Sequence, residues 1–127
     1  MLTTEWTADM DNAANKQFVE AFQKEYNRRP TVYAATSYDT ARLIASALKV
    51  IDGDVEGKPD EFRDALRKAD FDSVRGKFKL GPNHYPIQDW FLVEVARNAE
   101  GKLDYKHVET IVEDHGDAYS HLCKMDK

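Results

Sequence analysis

Apolar residues recur at helical spacing from Ala13 to Asn27. Ala14, Phe18, Ala21, Phe22 and Tyr26 share one face, and Lys16, Gln17, Glu20, Gln23 and Lys24 the other, which predicts an amphipathic helix. Asp9 to Asn12 supplies turn and cap chemistry ahead of it, and Arg28-Arg29-Pro30 ends it, because the residue before proline avoids the helical region. Upstream, Leu2 to Thr7 reads as a short strand. Downstream, Thr31 to Ala35 reads as an extended connector, and Thr36 or Ser37 as the cap of a second helix running to about Ile51. Asp39 falls in its first turn, where the helix dipole favours an acid. Two adjacent rows, Tyr38, Ala41, Ala45, Leu48 and Ile44, Ala47, Ile51, give it a broad apolar face suited to close packing. Pro59 opens a third helix with Phe62, Ala65, Leu66 and Ala69 as its buried stripe.

The period then changes. Val74, Gly76, Phe78 and Leu80 alternate with Arg75, Lys77 and Lys79, predicting a strand with one basic, exposed face. Gly81-Pro82-Asn83 is a turn, and Asp89 to Ala96 reads as the most buried strand. Asn98-Ala99-Glu100-Gly101 turns the chain into a last strand, Tyr105 to Val112, with a polar, irregular or partly helical tail from Glu113 to Lys127. Helices and strands interleave, so the fold class is α/β.

Composition adds limits. At 127 residues, 42% apolar and 32% charged, the chain is one domain in size and not disordered in character. A net charge of -5, with no basic block beyond Asn27-Arg28-Arg29, leaves nucleic acid without an electrostatic footprint. Met1 to Trp6 lacks the basic start and apolar core of a secretory signal, and no apolar run approaches the length of a membrane span. Cys123, the lone cysteine, has no partner in the chain for a disulfide.

Catalytic and metal chemistry find little support. His115, His121 and Cys123 do not match zinc-site spacings. No nucleophile elbow or phosphate-cradling glycine loop occurs. The acidic pairs Asp60 with Glu61 and Asp52 with Asp54 read as caps and turns. His84, in a turn beside Tyr85, is the single histidine that a weak hydrolase reading would use, with a nearby carboxylate. Aromatics at element ends, Trp6, Tyr33, Tyr38, Tyr85 and Trp90, are the more suggestive group, since tyrosine and tryptophan pair an apolar face with a polar handle. Packing is the better reading for Tyr38, Trp90 and Phe91, which lie on helix and strand positions; for Tyr33 the packing and ligand readings stand level.

Three stretches carry a resemblance. Asn83-His84-Tyr85-Pro86-Ile87-Gln88-Asp89-Trp90-Phe91-Leu92-Val93-Glu94-Val95, Asn15-Lys16-Gln17-Phe18-Val19 and Ser37-Tyr38-Asp39-Thr40-Ala41 occur in the order and spacing of bacterial solute-binding proteins that serve ABC importers for branched-chain amino acids and related compounds. His115-Gly116-Asp117-Ala118-Tyr119, with Cys123 and Met125, resembles the C-terminus of one branch of that family. The resemblance implies the C-terminal portion of a type I periplasmic-binding-protein fold, in which two α/β lobes joined by three crossings close on a solute. It places 1–30 in the second lobe, 31–87 in the first and 88–127 in the second again, with hinge crossings near Pro30 and Pro86. It implies a periplasmic, non-enzymatic protein without cofactor or metal. Its partners would be a small solute (an amino acid, amide or aromatic acid) and an ABC permease.

For this chain the resemblance puts Tyr33 against the ligand side chain, Trp6 and Thr7 on a strand end approaching the cleft, and Ser37 beside Tyr33. The family's other ligand groups belong to earlier parts of its fold, so this chain alone is not expected to bind an amino acid with native affinity. Unpaired edges on Val74 to Leu80 and Asp89 to Ala96 would favour a homo-oligomer, formed by association or exchange of elements. The rival is a self-standing α/β interaction or sensor module.

Overall fold

The computed structural model describes residues 1–124; Met125 lies outside the described residues. The order is β1 (Leu2–Thr4), α1 (Ala13–Tyr26), α2 (Val32–Val50), α3 (Pro59–Lys68), β2 (Lys79–Leu80), β3 (Pro86–Arg97), β4 (Leu103–His115) and a short 3-10 turn, Ser120–Leu122. Helices and strands are mixed, as expected, but they do not alternate: one strand is followed by three consecutive helices and then by three consecutive strands.

Local chemistry sets the helix limits. Asn12 caps α1, its side-chain oxygen accepting from the Asn15 N–H at 2.8 Å, and Asn27 closes it in the left-handed region at φ 50. Just ahead, Lys16 hydrogen-bonds Asp11 and holds that carboxyl below the ordinary carboxylate range. The folded value is the lower one, so the pair's contribution is present above the ordinary carboxylate pKa and fades as pH falls through the folded value. Both groups are exposed, which keeps the effect small. Pro59 opens α3, with Asp60 and Glu61 in its first turn and Arg67 and Lys68 in its last, each matching the helix dipole.

Two expected elements differ. Thr31 to Ala35 is not an extended connector. Thr31 itself caps α2, its hydroxyl accepting from the Ala34 N–H at 3.4 Å, so Tyr33 and Ser37 are helical. The cap competes well here because Pro30 holds the chain extended immediately before it. Val74 to Leu80 is not a continuous strand either. The chain turns at Ser73–Gly76, with Gly76 at φ 83, and only Lys79–Leu80 pairs. β1 is likewise shorter than expected, because Trp6 and Thr7 leave the sheet to be buried against α1.

β3 is the axis of the four-stranded, antiparallel sheet. It pairs with β2 at Pro86–Ile87, with β1 at Phe91–Val93 and with β4 from Gln88 to Arg97. Among the described residues β1, β2 and β4 each pair with β3 alone, so each keeps an open outer edge, and β1 covers β3 only at Phe91–Val93. Register shifts opposite Asp89, between Trp90 and Phe91, and between Leu92 and Val93 give β4 extra residues. Such bulges bend an edge strand and make it a poor template for further pairing. At the hairpin tip, Asn98 accepts from the Glu100 and Lys102 N–H groups, both at 3.0 Å, and Gly101 takes φ 75.

The main core joins Trp6, Phe18, Val19, Ala35 and Val74, with Ala8, Met10, Ala14, Phe22, Val32 and Ala34 around it. Phe18 is its centre, edge-on to Trp6 at 6.1 Å and tilted against Tyr38 at 4.7 Å. The broad apolar face of α2 is only partly used. Ala35, Ala47 and Ile51 are buried, whereas Tyr38, Ala41, Ile44 and Ala45 remain exposed. On α1, Ala21 and Tyr26 are exposed as well.

Because one residue carries so much of this small core, Phe18→Ala should cost about 3–5 kcal/mol. A fall in the urea midpoint with an unchanged slope would show it; a midpoint within error of the parent would place the core elsewhere.

Candidate functional site

Two buried polar joints organise the surface on which the sequence places a site. The first is Asn15 on α1. Its side-chain oxygen accepts from the Trp6 indole N–H at 2.7 Å, and its amide nitrogen donates to the carbonyls of Thr7, Ala8 and Met10 at 3.3, 3.4 and 3.2 Å. One wholly buried amide thus satisfies the irregular backbone between β1 and α1. Nearby, the Asn12 amide donates to the Val74 carbonyl at 3.1 Å.

The second joint is Asp39 on α2. Its carboxylate accepts from Ser73 Oγ at 2.6 Å, the Val74 N–H at 3.0 Å and Arg75 Nε at 2.9 Å. Arg75 continues to Gln88 Oε1 at 2.8 Å and stacks its guanidinium over Phe78 at 4.4 Å. Asp39, Ser73, Arg75 and Gln88 are all buried. The sequence reading missed this group. It placed Asp39 in a first turn and Arg75 on an exposed basic face. The available signal was an acid four residues after Ala35 and eight before Ala47, on the arc of α2 that faces inward.

The four expected site residues divide into two pairs. Trp6 and Thr7 are buried, the indole committed to Asn15. Tyr33 is 81% exposed, and Ser37, one helical turn on, is exposed beside it on the same face of α2. None of the four lines any of the four clefts described in the molecule. The Thr7 hydroxyl is buried and, like Arg29 Nε, has no hydrogen-bond partner among the described residues. An orphaned polar atom of this kind costs about 1–3 kcal/mol and calls for a reason.

Of the clefts, one of 430 Å³ lies between the start of α1 (Asn12, Ala13, Gln17), α2 (Tyr38, Arg42) and the turn at Ser73–Gly76. Another, of 550 Å³, is more apolar and is lined by Tyr85, Trp90, Ile111, Val112, His115 and Tyr119. His84 accepts from Arg67 Nε at 3.2 Å and has no carboxylate partner among the described residues, so the hydrolase reading loses its acid–base pair. His115, His121 and Cys123 are exposed.

The described residues thus form open clefts around two buried polar joints. The family model for periplasmic binding proteins matches residues 1–102, and the chain belongs to that family. A solute-binding protein of an ABC transporter from R. palustris, in complex with benzoate, is 31% identical, with a TM-score of 0.82 over 91% of this chain and 31% of that one. An ABC transporter substrate-binding protein from Sphaerobacter thermophilus is 30% identical, with a TM-score of 0.77 over 88% of this chain and 30% of that one. A solute-binding protein from Rhodopseudomonas palustris BisB5, in complex with 3,4-dihydroxybenzoic acid, is 28% identical, with a TM-score of 0.69 over 88% of this chain and 31% of that one. The chain spans less than a third of the length of each. No curated protein matches it. These relatives are binding proteins, not enzymes.

Breaking the Asp39 joint should be severe. Arg75→Met leaves a buried carboxylate short of its cation and should cost about 3–5 kcal/mol in chemical denaturation; a loss under about 1 kcal/mol would mean the pair is solvated. Thr7→Val is the contrasting case. Removing the orphaned hydroxyl should leave stability equal or higher, and a clear loss would reveal a hydrogen bond to water or backbone.

Proposed function

We propose that this chain is the solute-clasping and hinge-forming part of an extracytoplasmic solute-binding component of an ABC importer. The observation that carries the reading is the 0.82 TM-score at 31% identity to a benzoate-bound solute-binding protein. The ligand class is an aromatic carboxylate, with branched-chain amino acids and amides as the family alternatives. A small solute and a membrane permease are its partners, and the periplasm its place of work. Among the described residues no helix is long and apolar enough to cross a membrane, and the proposed role requires none.

Tyr33 and Ser37 form the proposed solute-facing pair. Their support is position: both stand exposed on the first turns of α2, next to the α1–α2 junction. Trp6 and Thr7 act beneath them, and the spare Thr7 hydroxyl is the atom of that buried pair still able to bond a ligand or a water.

Two bodies make the proposed hinge. Residues 88–127 keep the second-lobe role that the resemblance suggests, and 31–87 the first-lobe role. The packing favours joining α1 to the first body, since Phe18 and Val19 share a core with Ala35 and Val74. A division at Pro30, which is itself buried, would cut through that core. The crossings then fall at Thr4–Trp6 and at Pro86–Gln88, where proline restricts the swing to few dihedrals.

Self-association also belongs to the proposal. Its support is the exposure of large side chains on several elements, Tyr33, Val50, Leu103 and Tyr119 being 81%, 63%, 68% and 70% exposed, together with the open outer edges of the sheet. Sedimentation velocity should show dimers or larger species growing with concentration, and a monomer throughout would remove this part.

Titration calorimetry with benzoate, 3,4-dihydroxybenzoate and leucine tests the whole. It should be run on this chain and on a version extended at its N-terminus by the missing lobe of a homologue. Binding by the extended form alone, weakened at least about tenfold by Tyr33→Ala, is the expected result. Absence of binding by both forms, together with ligand-independent capture of another protein, would favour a self-standing interaction module.

A further inference from the structure

One quoted motif has no part in the proposed solute contacts: His115-Gly116-Asp117-Ala118-Tyr119, where the chain leaves β4. It runs back along β3 toward the turn that follows β2. Its path is fixed by four contacts. Asp114 takes φ 48, a conformation that costs a non-glycine residue free energy, and its N–H donates to Asp89 Oδ1 at 2.9 Å. The Asp114 carboxylate lies 3.7 Å from Lys79 Nζ on β2. Gly116 then passes over Ile87 so closely that a Cβ would meet Ile87 Cγ1 at 3.1 Å. Finally, Asp117 Oδ2 accepts from Asn83 Nδ2 at 2.7 Å while Oδ1 accepts from the Tyr119 N–H at 2.9 Å. Asn83 is held in turn, its own oxygen accepting from the Tyr85 N–H at 3.2 Å.

These partners sit on two sides of a boundary. Among the described residues β4 pairs with β3 alone, in the sheet body, and near its start its Asp104 meets Arg29 just past α1. Lys79 and Asn83 belong to the β2 turn, which packs on α3 in the helical body. We propose that Asp114–Asp117 is a strap that returns from the sheet body to the helical body beside the β3 crossing at Pro86–Gln88. The inference rests on the two-body hinge given above and adds to it one group that limits the motion, at the opposite end of β4 from the Arg29–Asp104 pair. Two separate crossing strands leave the bodies free to shear as well as bend. A third segment fastened beside the Pro86–Gln88 crossing resists the shear and leaves one soft axis, so the bodies close in one direction. The strap therefore acts on solute clasping without touching the solute.

The fastening can be reversed chemically. Asn83→Asp sets a carboxylate against Asp117 while preserving the acceptor for the Tyr85 N–H. The pair Asn83→Asp with Asp117→Asn restores the bond with donor and acceptor exchanged. Both are made in a Cys123→Ser background, with nitroxide labels on Lys49→Cys in α2 and Ala99→Cys at the hairpin tip. Amide exchange at Gly116 to Tyr119 should quicken about five- to tenfold in the single variant, the loss of roughly one hydrogen bond, and the label distance distribution should broaden. The exchanged pair should recover both.

Unchanged exchange in the single variant would overturn the strap. Faster exchange with a distance distribution that stays narrow would overturn the hinge between the two bodies, and with it the strap's role, while leaving the solute-binding reading standing. Equal acceleration throughout β3 and β4 would be general loosening of the sheet, which also rejects the proposal. Gly116→Ala is the independent check, because it presses on Ile87 without altering charge. It should quicken exchange at the same residues, and no effect there would count against the path over Ile87.

Discussion

The Asp39 carboxylate is the constraint around which the chain is arranged. It is buried on α2, yet three of its hydrogen-bond donors come from the turn Ser73–Arg75, more than thirty residues later. Through Arg75 it reaches Gln88 at the start of β3. A charge withdrawn from water is tolerated only when its lone pairs are met, so the carboxylate dictates where that turn must lie. Ser73, Val74 and Arg75 cannot be a regular strand while they surround one oxygen pair. The position of β3, and hence of the sheet, follows from the Arg75–Gln88 contact.

Asn15 performs the matching task for the segment between β1 and α1. β1 must leave the sheet and reach α1 through several residues without regular pairing. Buried carbonyls there need donors, and one amide supplies them while fixing the Trp6 ring. Apolar packing between the joints is modest, with alanine prominent among the buried residues of α2 and α3. Polar joints of this kind add uniqueness of geometry more than they add stability.

The expected site residues illustrate how such joints separate roles. Trp6 and Thr7 have the composition of ligand groups, but their burial makes them supports. Tyr33 and Ser37 became a pair because Thr31, and not Thr36 or Ser37, capped α2 and drew both into one helical face. Had the connector stayed extended, their side chains would have pointed along different directions. A one-turn shift in a helix start thus determines whether two residues share a surface.

The three helices, the hairpin at Asn98–Gly101 and the α/β class were legible in the residues, because period, caps and turn formers are local signals whose physics acts within a few positions. Family membership was legible for a related reason, since quoted motifs in order survive without knowledge of their contacts. What the sequence could not disclose were the long-range choices. Arg75 alternates as a strand residue should, and only a carboxylate brought from α2 turns it inward. The tail's irregularity was readable, but not its return to Asn83. Local free energies are written in neighbouring residues; the partners of a buried charge, and the path of a strap, depend on which distant segments the fold carries to one place.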